Sequence, residues 1–214
     1  MTEPLGELAP LARLALAYAP GPARADWLTV LLLDARLAGV VRTAREPMLA
    51  QLRLAWWRDR LGEAPARWPA GEPLLARLRD WGEAARGLVG LIDGWEALLG
   101  EPPLPETALS EFAAGRGAGM AALAGRVGAD PAASDQLGQA WALADLALHL
   151  SDGTERAAAG ALLEAGCPAR VGRAMRPLAV LAGLNLRAVR RGRSDPLDGP
   201  GALLAAIRLG MFSR

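Results

Sequence analysis

Apolar residues recur along this chain at three- and four-residue intervals, and the runs that carry the pattern are cut by proline and glycine. That spacing predicts helices with one buried face. Val, Ile, Thr, Tyr and Phe, which favour strands, are scarce, whereas Ala, Leu, Arg and Glu dominate. Breaks at Pro20-Gly21-Pro22, Gly62, Pro69-Ala70-Gly71, Gly100-Glu101-Pro102-Pro103 and Gly192-Arg193-Ser194-Asp195-Pro196 divide the sequence into about nine helical segments. Pro47, Pro73 and Pro105 are read as first-turn residues, where a missing N–H costs nothing.

Three segments stand out. Glu46 to Leu61 is amphipathic, and the spacing of Leu49, Leu52, Trp56 and Leu61 predicts that this stripe faces the core, with Arg53, Arg58, Asp59 and Arg60 elsewhere on the surface. Gln139 to Leu150 is apolar on almost all sides except at Asp145 and His149, which places it in the middle of the bundle. Between Phe112 and Gly128 four glycines (Gly115, Gly117, Gly119, Gly125) would weaken an isolated helix by up to ~1 kcal/mol each. They read as points of close helix approach.

Composition narrows the class without naming a chemistry. With 52% hydrophobic and 22% charged residues, the 214-residue chain is expected to fold as a single domain, 1–214, around one core. All 24 basic residues are Arg and the net charge is +1, so no pull towards nucleic acid is expected. The apolar run from Trp27 to Val41 is broken by Asp34 and Arg36 and is shorter than the ~20 uncharged residues a membrane-spanning helix needs. Met1 to Leu5 shows no basic stretch followed by an apolar one, so no secretory signal is expected and the cytoplasm is the expected location. The single cysteine, Cys167, is read as structural or incidental, since nothing near it in sequence would lower its pKa.

The segment Asp34-Ala35-Arg36-Leu37-Ala38-Gly39-Val40-Val41-Arg42, followed by Glu46-Pro47-Met48-Leu49 and by Arg53-Leu54-Ala55-Trp56-Trp57-Arg58-Asp59, resembles the early part of squalene/phytoene synthases. Trp56-Trp57-Arg58-Asp59 is the most specific piece. Leu91-Ile92-Asp93-Gly94-Trp95-Glu96 and Leu137-Gly138-Gln139-Ala140 continue the likeness in the right order, to about Arg156. The resemblance implies an all-α, isoprenoid-synthase-like helical bundle with a central apolar cavity. It also implies two aspartate-rich segments on facing helices, holding the magnesium ions that grip prenyl diphosphates, because a hard cation needs oxygen ligands. Here the first segment falls on Ala38 to Arg42, without a carboxylate; the second falls on Asp145 to Gly153, with His149 where an aspartate is expected and Asp145 and Asp152 as the acids. This loss is similar to the mitochondrial complex I assembly factor branch of the family, which is regarded as non-catalytic. A binding or assembly factor with no catalytic residue, metal or cofactor is therefore expected, ahead of a divergent prenyltransferase or an isoprenoid or lipid carrier. The partners these readings imply are a protein, or an isoprenoid or lipid with peripheral membrane contact.

Two clusters carry the candidate sites. Arg53, Trp57, Arg58 and Asp59 form a candidate ligand or partner surface, with Trp56 as the core residue and Trp57 turned outward. Asp145, His149, Asp152 and Arg156, spaced four, three and four, are read as sharing one helix face. They form either a residual polar site or a buried Asp145–His149 pair beside a solvated helix end. Asp93 and Glu96 read as a solvated pair, and Arg187, Arg190, Arg191 and Arg193 as cations favoured by a helix C-terminus, with a phosphate or anionic-lipid contact open.

Overall fold

The computed structural model describes residues 4–44, 46–166 and 169–212. Among these the regular elements are helical, with no strand. In chain order they are α1 (Pro10–Leu16), α2 (Gly21–Arg42), α3 (Pro47–Gly62), α4 (Pro73–Leu78), α5 (Val89–Ala97), α6 (Glu106–Arg126), α7 (Pro131–His149), α8 (Gly153–Ala165), α9 (Arg176–Arg190) and α10 (Pro200–Phe212), with short 3₁₀ turns before α1, α4 and α9 and a ten-residue 3₁₀ stretch, Arg79–Leu88, between α4 and α5. The breaks between α1 and α2, α3 and α4, α5 and α6, and α9 and α10 fall at the proline and glycine clusters read from the sequence, whereas the break between α7 and α8 does not. Pro47 and Pro73 open α3 and α4, and Pro105 stands one residue before α6. Cys167 lies outside the described residues.

α2 buries every residue from Trp27 to Asp34, more than one face of a helix can hide against a single neighbour. It is covered by α3, α4, α5 and α6. The Trp27 indole N–H donates to the Ala174 carbonyl (2.8 Å), fixing α2 to the turn before α9. α7 is buried on most sides, as its sequence predicts, between α6, α8 and α9.

Helix α6 runs between α5 and α7, and its glycines set how near they come. A Cβ on Gly115 would sit 2.7 Å from the Gly94 Cα, and one on Gly117 would sit 2.6 Å from the Asp135 carboxylate and 2.9 Å from the Asp135 carbonyl. Both are closer than real Cβ contacts allow. Gly119 meets the Leu91 side chain at 3.3 Å, whereas Gly125 faces open space, so three of the four glycines are points of close approach and the fourth is not.

The orientation of α3 differs from the sequence expectation. Its buried face is Ala50, Leu54, Trp57 and Leu61, while Met48, Leu49, Leu52 and Trp56 are exposed. Trp57 is 4% exposed and Trp56 39% exposed, the reverse of the reading above. Both stripes have helical spacing, and the small Ala50 lets the backbone approach on its own side. The Trp57 indole is therefore core, stacked edge-on to Trp56 with centroids 5.0 Å apart.

Substituting the glycines should separate packing from propensity. Gly115→Ala should destabilise the protein by ~1–3 kcal/mol through overpacking. Gly125→Ala should raise stability by up to ~1 kcal/mol. Urea unfolding of the two variants against the parent checks both signs.

Candidate functional site

A long helix without a side chain at positions 115 and 117 lets its neighbours close over position 116. Arg116 is 3% exposed, and its guanidinium is the centre of the molecule's polar interior. Nη2 donates to Asp34 Oδ2 (2.7 Å), Nε to Asp34 Oδ1 (3.3 Å) and Nη1 to Asp145 Oδ2 (2.8 Å). The Trp95 indole N–H donates to Asp34 Oδ1 (2.8 Å), and Asn185 Nδ2 lies 3.4 Å from Asp145 Oδ1. Five helices, α2, α5, α6, α7 and α9, thus each bring one side chain to the cluster.

Aromatic faces wall the guanidinium. Its central carbon lies 3.8 Å from the Trp141 ring centroid, 5.0 Å from Phe112 and 5.4 Å from Trp95. Trp95 and Phe112 pack edge to face at 4.8 Å. A delocalised, weakly hydrated cation suits such a setting better than an ammonium would.

The electrostatics follow from one cation between two carboxylates. Burial works against the charge on Arg116, but Asp34 and Asp145 outweigh it and raise its pKa. Burial likewise pushes the Asp145 carboxyl up, yet Arg116 and His149 hold it well below its ordinary value of 3.8. His149 takes the remaining negative charge. Its Nδ1 lies 3.2 Å from Asp145 Oδ1 and 2.9 Å from the Asp145 carbonyl. Its pKa is raised from 6.5, first by the hydrogen bond to the Asp145 side chain.

The residual polar site is therefore assembled differently from the sequence reading. His149 is not a buried partner: its side chain is 61% exposed. Asp152 does not share a face with Asp145, because α7 ends at His149 and Asp152 is the N-cap of α8. Its carboxylate accepts from the Thr154 (2.7 Å) and Glu155 (3.0 Å) N–H groups, which lowers its pKa. Arg156 turns back on the Leu150 and Ser151 carbonyls.

The candidate surface on α3 also divides. Arg58 bridges to Asp93 (Nε to Oδ1, 2.7 Å) and to Glu96, so these two acids clamp α5 to α3 rather than standing as a solvated pair. The Glu96 hydrogen bond is the main cause that raises the Arg58 pKa. Trp57 is withdrawn into the core, Asp59 is exposed, and Arg53 lines a shallow groove of about 380 Å³ with Arg36, Gly39 and Thr43.

Arg116, Trp141 and Asn185 were missed in the sequence. One signal was present: glycines that mark close helix approach on both sides of position 116 imply that the residue between them is interior as well. The cluster does not fit a magnesium pair. Asp34 offers both its oxygens to Arg116, and among the described residues no three His, Cys, Asp or Glu side chains come together.

Two outcomes test this account. Arg116→Leu should cost ~3–5 kcal/mol, because the buried Asp34 carboxylate and the partly buried Asp145 carboxylate lose their counter-charge. Its response to acid should also weaken. The parent has a depressed Asp145 pKa, so that stabilisation is complete above 3.8 and is lost as pH falls through the folded value. The variant, without that guanidinium beside Asp145, should lose less stability over the same acid range. His149→Ala should cost less than ~1 kcal/mol, since the imidazole is largely exposed. That raised pKa gives stability present below 6.5 and lost as pH rises through the folded value. The melting temperatures of parent and His149→Ala should therefore differ in mild acid and converge in alkali.

Comparison with protein-family models, with curated proteins and with solved structures finds no match to this chain.

Proposed function

We propose that this chain is a non-catalytic, squalene/phytoene synthase-like protein on an isoprenoid-synthase-like bundle, acting as a binding or assembly factor. The observation that supports the reading is Arg116. Facing carboxylates on two helices are the arrangement that would hold a divalent cation, and here a guanidinium fixed at 2.7 and 2.8 Å holds them together instead. The centre thus carries its own cation, covalently attached and walled by three aromatic rings. A magnesium ion there would face a like charge and oxygens already engaged, and it tolerates departures from octahedral geometry poorly.

Binding, by contrast, needs an outer face. The outward stripe of α3, Met48, Leu49, Leu52 and Trp56 with Arg53 beside it, is apolar, exposed and held on a rigid helix. It takes the place of the Trp57-centred surface, and a protein partner is the ligand it suits.

The purified protein should release no diphosphate from farnesyl or geranylgeranyl diphosphate with magnesium, in a coupled phosphate assay against heat-treated protein. Release that disappears in Asp34→Asn or Asp145→Asn would overturn the reading.

A further inference from the structure

Helix α9 closes on a cluster of arginines. Gly192, at φ 60°, donates its N–H to the Val189 carbonyl (3.0 Å), and the Arg193 N–H returns to the Ala188 carbonyl (3.0 Å). This paired closure is one that a left-handed residue permits. The helix dipole accounts for cations near this end, but not for where they point. Arg187, Arg190 and Arg191 line one groove of about 540 Å³ with Arg208 of α10, and no carboxylate is among its lining residues. Nearby, Asp198 is taken up by Arg193, and Arg187 reaches only its backbone carbonyl, at 3.5 Å. Desolvation and the neighbouring Arg191 and Arg193 lower the Arg187 pKa, outweighing the opposite pull of Asp198.

α10 supplies a second feature at the same place. Leu203, Leu204, Ile207 and Met211 are 61%, 70%, 38% and 54% exposed, and their spacing puts them on one outward stripe. The opposite face is seated firmly: Leu209 packs on Gly183 and Gly210 lies against the Tyr18 ring. Leu204 belongs to both features, since it also lines the arginine groove. Cations and exposed apolar side chains therefore share one edge.

We propose that α10 and the arginine groove form a docking surface for an anionic lipid bilayer, with the stripe in the acyl boundary and the guanidiniums on lipid phosphates. The two halves of the surface select this occupant together. A soluble anion would satisfy the arginines and leave four large apolar side chains in water, and an apolar protein face would cover the stripe and leave the charges unanswered. An anionic leaflet presents phosphate above hydrocarbon in that order, at the depth an interfacial helix reaches. Arginine forks match phosphate oxygens two at a time. Among the described residues no helix is long and apolar enough to cross a membrane, so those residues offer only peripheral attachment. This surface is independent of the Arg116 centre and of the α3 stripe.

Co-sedimentation with vesicles tests it. The unmodified protein should pellet with vesicles of one-third phosphatidylglycerol in phosphatidylcholine, should stay in solution with phosphatidylcholine alone, and should be released by high salt. Arg187→Gln/Arg190→Gln/Arg208→Gln should weaken partitioning roughly 100-fold. Leu203→Ser/Leu204→Ser should weaken it as well, with melting curves confirming that both variants fold. The proposal is overturned if the unmodified protein ignores vesicle charge. It is equally overturned if inorganic phosphate occupies the groove while the leucine pair leaves vesicle binding unchanged. Concentration-dependent dimerisation lost in the leucine variant, without any vesicle effect, would assign the stripe to a second copy and also overturn it.

Discussion

A guanidinium buried as deeply as that of Arg116 has to find its counter-charges inside the protein, and most of this bundle is arranged around that requirement. Two carboxylates answer it from α2 and α7, and each is held by a further donor, Trp95 on Asp34 and Asn185 on Asp145. The aromatic faces of Trp95, Phe112 and Trp141 surround the charge with groups that are apolar in bulk yet electron-rich on their faces. Such a centre is costly to dismantle and leaves no ligand position open between the acids.

Depth is made possible by small residues. Only because α5 and α7 close on α6 at Gly115 and Gly117 does the side chain between those glycines lie far from water. The same closeness brings Trp95 within reach of Asp34. Packing and electrostatics are therefore one design: larger residues in the seams would widen the bundle and hydrate the charges.

The helical class, the helix breaks at proline and glycine clusters, the burial of α7 and the meaning of three glycines were legible in the sequence, because each rests on local spacing or backbone geometry. What failed were choices between equivalent faces. In α3, the stripes through Trp56 and Trp57 are both apolar, and the small Ala50, the packing of α5 and the Arg58 clamp on Asp93 and Glu96 select between them. The polar site was half visible. Asp34 and Asp145 stood out as acids in apolar helices, but their partner lay in a glycine-rich segment where spacing gives no sign of which way an arginine points. The run through Asp145, His149 and Asp152 misled for a plain reason: it assumed one continuous helix, while Asp152 caps the next.

The buried run of α2 carries one more consequence. From Trp27 to Leu33 this helix is buried throughout, and apolar burial alone leaves it some freedom to slide along its own axis, which the Trp27 hydrogen bond to the Ala174 carbonyl opposes at one end. Asp34 removes that freedom. A slip of one turn would present Val30 or Ala38 to Arg116, strand one carboxylate in hydrocarbon and leave the Trp95 N–H without an acceptor. The charge in the core thus acts as a detent, and together with the Trp27 hydrogen bond it holds a single register for a helix with an oily surface.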